Sequence, residues 1–174
     1  PENAWSLTTE GPLADGIYDI IATAVDAAGN AGSDQTVDEL TVDTLPPTAL
    51  SLTRTGNSPT NASSVGFSLA FDEAVKGLDA SDITVLVDGV PQDGGAPKAL
   101  GGLPLDYTID GSGTTYTITV DTGTGDGTIA VYLKNDGSIT DIAGNPLTSG
   151  LDSEDAYALD RTPPTVSLTS KETD

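Results

Sequence analysis

An all-β sandwich is the fold class this sequence predicts, and three observations predict it. Apolar residues recur with a period of two: Val65, Phe67, Leu69 and Phe71 in SVGFSLAF, Tyr116, Ile118 and Val120 in TTYTITV, and Ile129, Val131 and Leu133 in TIAVYLK. That period places alternate side chains on one face of a half-buried strand. Clusters of Gly, Pro, Asn and Asp punctuate the chain about every 8–15 residues, as turns require. No stretch carries a helical stripe flanked by caps.

Taken in order, Tyr18, Ile20, Ala22 and Ala24 alternate in the N-terminal part and mark a strand. Beyond the first Pro-Pro pair, strands are expected at 49–53, 64–71, 82–87, 105–110, 114–120, 127–134 and 155–160. Seven short strands in about 110 residues predict a two-sheet sandwich of the immunoglobulin type. The turn after 64–71 is expected at Asp72-Glu73. The stretch VDGVPQDGGAPKALGGLPLD at 87–106 is longer and richer in Gly and Pro than a short hairpin needs. GTGDGTIA at 123–130 is expected to be a Gly-rich turn, because one copy cannot form a calcium-binding β-roll.

The chain repeats itself. TVDTLPPTALSLT at 41–53 matches ALDRTPPTVSLT at 158–169, with Asp43 and Asp160 offset by 117. DAAGN at Asp26–Asn30 matches DIAGN at Asp141–Asn145, offset by 115, and Asp15-Gly16 matches Asp126-Gly127, offset by 111. At that last offset Trp5 falls on Tyr116 and Leu7 on Ile118. Residues 1–43 then read as the rear part of one repeat, 44–160 as a complete repeat and 161–174 as the start of a third. Repeats in series with short DxxPP junctions describe a tandem array. The first unit lacks a counterpart of 44–111, so it is expected to need completion by another segment. The sequence starts at Pro1 without Met and is expected to be an excerpt of a longer protein.

Composition narrows the function. The 174 residues hold 6 Lys+Arg against 27 Asp+Glu, a net charge of −21. So few cations build no basic stripe, which argues against nucleic-acid binding. An anionic membrane surface would repel the chain, and no apolar run reaches spanning length. With no His and no Cys, imidazole bases, thiol nucleophiles, disulfides and the usual zinc, iron and copper ligands are absent. No catalytic residue is assigned: carboxylates are plentiful, but nothing marks a cleft or an aromatic sugar platform. The Asp, Glu and Asn oxygens suit hard cations such as calcium.

Strand polarity gives those oxygens a place. In such a sandwich the strand at 64–71 ends, and the loop after 127–134 lies, at the end where the chain enters the unit. Asp43, Asp72, Glu73, Asp141 and Asn145 are therefore expected to converge at one junction and to ligate Ca2+ there. Asp79 and Asp82 in LDASDI are reserves. By repetition Asp26 and Asn30 serve the preceding junction, and Asp160 the following one. The alternative is a plain Asx turn, in which Asp and Asn of DxxGN cap backbone amides. Pro46-Pro47 and Pro163-Pro164 fix φ and favour a short, stiff linker.

AWSLTTEGPLADGIYDIIATAVDAAGNAGS followed by TVDTLPPT resembles the rear part of bacterial Ig-like repeats, and so does YTITVDTGTGDGTIAVYLKNDGSITDIAGNPLTS followed by ALDRTPPT. FDEAVKGLDASDITV resembles an earlier region of the same repeats. These repeats occur in giant secreted bacterial adhesins, including those exported by type I secretion. The resemblance implies an extracellular spacer role, with neighbouring repeats of the same chain as partners. Many relatives bind calcium at domain junctions. The competing expectation is an adhesion module that itself binds a surface glycan or protein.

Overall fold

In the computed structural model the described residues are 8, 10–34, 36–92, 100–102 and 105–169. Trp5 and Leu7, residues 93–99 and 103–104 of the insertion, and residues 170–174 lie outside them. The chain divides into two units, Pro1–Leu45 and Pro46–Asp174.

Unit 1 consists of two short antiparallel ladders. Strand β1 (Gly16–Tyr18) pairs with β4 (Leu40–Val42), in the register Gly16–Val42, Ile17–Thr41 and Tyr18–Leu40. Strand β2 (Thr23–Val25) pairs with β3 (Ala31–Ser33) around the DAAGN turn. No described residue of this unit is buried.

Unit 2 is a two-sheet, Ig-like sandwich. Its strands are β5 (Ala49–Arg54), β6 (Ser64–Lys76), β7 (Ile83–Val87), β8 (Val90–Pro91), β9 (Tyr107–Asp121), β10 (Gly127–Leu133), β11 (Thr140–Asp141), β12 (Leu151–Asp152) and β13 (Tyr157–Leu159). One sheet is built on β6, which pairs with β5, β9 and, at its far end, β11. The other is built on β10, which pairs with β7, β12 and β13, with β8 beyond β7. The inward positions of the two sheets supply the core: Leu52, Phe67, Leu69, Ile118, Val120, Ile129, Val131 and Leu133 are all under 2% exposed. Phe67 and Tyr157 join the sheets edge to face at 5.3 Å between ring centroids, a favoured aromatic geometry. The Tyr157 hydroxyl donates to the Gly66 carbonyl (3.0 Å) and accepts from the Gly56 N–H (2.7 Å), so its polar end is satisfied inside the core.

Two expected boundaries move. The strand at 64–71 does not turn at Asp72-Glu73 but runs on to Lys76, because β11 and β9 continue to pair with it at Val75. The segments expected at 105–110 and 114–120 form one element, β9, irregular at Gly111 (φ 125°) and Gly113 (φ 69°). Positive φ at these sites favours glycine. Residues 80–82 form a single 3₁₀ turn.

Candidate functional site

The chain enters unit 2 through Pro46-Pro47, and the next residue is tied at once to the end of β6. The Thr48 N–H donates to Asp72 Oδ1 (2.7 Å), and the Asp72 N–H donates to the Thr48 carbonyl (3.1 Å). Glu73 follows, half-buried. At the same end, Asp141 of β11 lies opposite Val75. Within unit 2, therefore, Asp72, Glu73, Asp141 and Asn145 share the incoming pole. Lys76 is there too: its Nζ donates to the Ile142 carbonyl at 3.0 Å, placing one ammonium on the DIAGN loop.

The DIAGN loop holds itself. Asp141 Oδ1 accepts from the Gly144 and Asn145 N–H groups, and Oδ2 accepts from Asn145 Nδ2 at 2.7 Å. Its own N–H donates to the Asn145 carbonyl at 3.0 Å. Asp141 is fully buried. Burial pushes its carboxyl up, but the hydrogen bonds from Asn145, Gly144 and Ala143 together outweigh it and hold the pKa below the ordinary value. The Asx-turn geometry set out as the alternative reading is thus present, and it leaves lone pairs on a buried, ionised carboxylate.

In unit 1 Asp26 and Asn30 repeat this arrangement. Asp26 Oδ1 accepts from the Ala28 and Asn30 N–H groups, and Asn30 Nδ2 donates to Oδ2 at 2.7 Å. Asp26 is exposed, and the Asn30 side chain and backbone bonds lower its pKa.

Asp43 and Asp160 also recur as a pair. Each begins an Asx turn: Asp43 Oδ1 accepts from the Leu45 N–H (3.1 Å), Asp160 Oδ1 from the Thr162 N–H (3.0 Å). Asp160 lies at the outgoing pole of unit 2, where its N–H donates to the Thr60 carbonyl beside the start of β6. The reserve residues Asp79 and Asp82 cap the 3₁₀ turn. Buried Asp82 accepts from Ser138 Oγ (2.6 Å) and the Asp79 N–H (2.7 Å), while Asp79 accepts from the Ser81 N–H (2.7 Å).

One functional feature escaped the sequence reading. Asp126 grips the outgoing linker: Oδ1 accepts from the Arg161 N–H (2.6 Å) and Oδ2 from Thr162 Oγ1 (2.7 Å). The Thr162 and Arg161 bonds lower its pKa. The Arg161 guanidinium donates to the Gly125 carbonyl, the Ala62 carbonyl and Thr122 Oγ1. In unit 1 Asp15 accepts the equivalent bond from the Thr44 N–H (3.1 Å) and a second from Thr44 Oγ1 (2.9 Å). The recurrence of Asp-Gly at 15–16 and 126–127 is the sequence signal of this grip.

The arrangement offers hard oxygen donors at the incoming pole and hydrogen-bonded clamps on each DxxPP linker. No curated protein matches the chain. The N-terminal residues 1–44 match the family of bacterial Ig-like domains.

Proposed function

We propose that the chain is an extracellular structural extender of a bacterial surface adhesin, stiffened by calcium where one Ig-like repeat meets the next. One observation carries this reading: within unit 2 the incoming chain, Asp72, Glu73 and the DIAGN loop share one pole. Asp43 precedes Pro46 by three residues, a span of at most about 11 Å of extended chain. The donor set fits the ion, since calcium takes carboxylate, amide and backbone oxygens and needs no nitrogen or sulfur. Asp43, Asp72, Glu73, Asp141 and Asn145 are the residues proposed to hold it, through carboxylate and amide oxygens. The ion's part is to neutralise carboxylates that otherwise repel one another. Asp26 with Asn30, and Asp160, are proposed to serve the neighbouring junctions. The match of residues 1–44 to bacterial Ig-like domains supports the structural class.

The test is calorimetric titration with calcium, together with melting in EDTA. Binding heat and a lower melting temperature on chelation are expected, and Asp141→Ala is expected to remove part of the heat. Absence of heat with unchanged melting in EDTA rejects the calcium site and leaves a plain spacer.

A second reading has one observation in its favour. On the outward face of the β7–β10 sheet, beside the 87–106 insertion, Thr84, Leu86, Pro91, Tyr132, Lys134 and Asp152 line a shallow groove. An aromatic ring flanked by polar groups suits a glycan. Reproducible hits on a glycan array, lost in Tyr132→Ala, would replace the spacer reading by adhesion.

A further inference from the structure

In unit 2 the first strand and the last are joined side by side, outside the two sheet ladders. Every second residue from Leu52 to Thr60 bonds the segment 154–160. The Glu154 N–H donates to the Leu52 carbonyl (3.0 Å), and Arg54 Nη2 lies 3.2 Å from Asp155 Oδ2. The Gly56 N–H donates to the Tyr157 hydroxyl (2.7 Å), and the Ala158 N–H donates to Ser58 Oγ (2.8 Å). The Thr60 N–H donates to the Ala158 carbonyl (2.9 Å), and the Asp160 N–H donates to the Thr60 carbonyl (3.0 Å). Between these contacts the strand keeps its own ladder with β6, to which the Thr55 N–H donates at the Gly66 carbonyl (3.0 Å).

The two segments run the same way. Thr48, ahead of β5, is tied to Asp72 at the incoming pole, whereas Thr60 forms a parallel bridge with Leu159 and bonds Asp160 at the outgoing pole. Tension along the chain therefore draws residues 52–60 toward the incoming pole and residues 154–160 toward the outgoing one. Contacts between parallel segments drawn in opposite directions are loaded sideways and together. Contacts at the open end of a hairpin are loaded one after another, so each breaks alone at a lower force. The contacts differ in worth. The Arg54–Asp155 pair adds little, because the Asp155 side chain is 67% exposed and water screens it. Tyr157 is the strongest point: it is 2% exposed, the Arg54 guanidinium lies 5.4 Å from its ring centroid, and its hydroxyl bonds both Gly56 and Gly66 away from water.

We propose that residues 52–60 and 154–160 form a shear clamp, which makes unit 2 a load-bearing link of the chain as well as a spacer. This function goes beyond the extender reading, because the clamp lies inside one unit and needs no ion at a junction. With no cysteine in the chain, no disulfide carries the load. What the clamp supplies is a slow unfolding rate under tension, since forced unfolding is governed by that rate and not by equilibrium stability. The side chains of Tyr157 and Ser58 are its central teeth, so single substitutions reach it without touching the backbone ladders.

The test pulls single molecules of the full chain, in EDTA so that the result does not depend on the calcium reading. Each molecule is held through two cysteines placed at exposed residues. Leu45→Cys with Val166→Cys loads the clamp end to end, whereas Asn61→Cys with Val166→Cys opens it from the Thr60 end. Unit 2 is expected to unfold at a clearly higher force in the first geometry. At one constant force in that geometry, Tyr157→Phe is expected to unfold roughly tenfold faster, since two hydroxyl bonds are lost, and Ser58→Ala about fivefold faster, since one is lost. Tyr116→Phe loses one hydroxyl bond, to the Val75 carbonyl away from the clamp, and is expected to change the rate by less than about twofold. Equal forces in the two geometries overturn the proposal. Equal acceleration in Ser58→Ala and Tyr116→Phe, which lose one bond each, also overturns it and decides the matter alone if Tyr157→Phe does not fold.

Discussion

The two DxxGN loops have one geometry and two environments. Asp26 and Asp141 accept the same bonds from the asparagine four residues on, with the N–H at 2.8 Å and Nδ2 at 2.7 Å in both. Yet Asp26 is exposed in a unit with no buried residue among those described, and Asp141 is fully buried in a closed sandwich. The loop is therefore a local product of its five residues, an Asx turn that needs neither a finished sandwich nor an ion. What completion of the sandwich adds is burial, which turns a solvated carboxylate into one whose charge must be met by hydrogen bonds or a cation. In unit 2 the hydrogen bonds from Asn145, Gly144 and Ala143 meet that charge.

The largest expected effect tests whether the units differ as their burial says. Phe67→Ala removes a fully buried ring packed on Tyr157 and is expected to cost unit 2 about 3–5 kcal/mol. Ile20→Ala, at a side chain 38% exposed in unit 1, is expected to change stability by no more than about 0.5 kcal/mol. Calorimetric melting of both variants decides it, and equal losses break the comparison.

The next test sharpens it at the loops themselves. Asn in place of Asp141 turns one acceptor oxygen into a donor that faces the N–H groups of its own turn. Asp141→Asn is expected to lower the melting temperature of unit 2 clearly, and Asp26→Asn to leave it almost unchanged. The pH dependence has a definite sign. The folded-state pKa of Asp141 lies below the ordinary 3.8, so its ionised form stabilises the fold above that pH. The contribution is lost as pH falls through the folded-state value. The gap in melting temperature between wild type and Asp141→Asn should therefore be full at neutral pH and close on acidification below about 4. A gap that persists at lower pH would assign the effect to shape rather than charge.

How far the sequence could be read follows from what is local. Strict alternation placed 64–71 and 127–134 as strands, because each apolar residue lands on the inner face. It failed at Asp72-Glu73, where two acidic residues break the pattern, although the backbone stays paired through Thr48 and then β11. It failed again at 107–121, where glycines with positive φ bend a strand without ending it. At the candidate site, strand polarity pointed to Asp43, Asp72, Glu73, Asp141 and Asn145, and repetition to Asp26, Asn30 and Asp160. The Asp15 and Asp126 clamps were out of reach, since their meaning lies in N–H groups 29 and 35 residues away.

Those clamps set the smallest and last comparison. Both linkers are gripped by an aspartate on the residue after the junction aspartate, but that residue is Thr44 in the first and Arg161 in the second. Threonine adds one hydroxyl bond to the grip. Arginine adds three guanidinium bonds that reach Gly125, Ala62 and Thr122, so the start of the second linker is anchored to the body of unit 2 itself. A planar guanidinium loses little rotamer freedom for each bond it makes, which suits it to fixing a direction. Arg161→Met keeps the stem and removes the fork. It is expected to cost about 1 kcal/mol in stability and to raise the backbone mobility of residues 162–169 in nuclear magnetic relaxation. Thr44→Val, which removes only the hydroxyl, is expected to change the mobility around Leu45 less. Equal mobility in both variants would mean that the Asx turns and prolines alone orient the linkers. The guanidinium would then serve only to satisfy the carbonyls it meets.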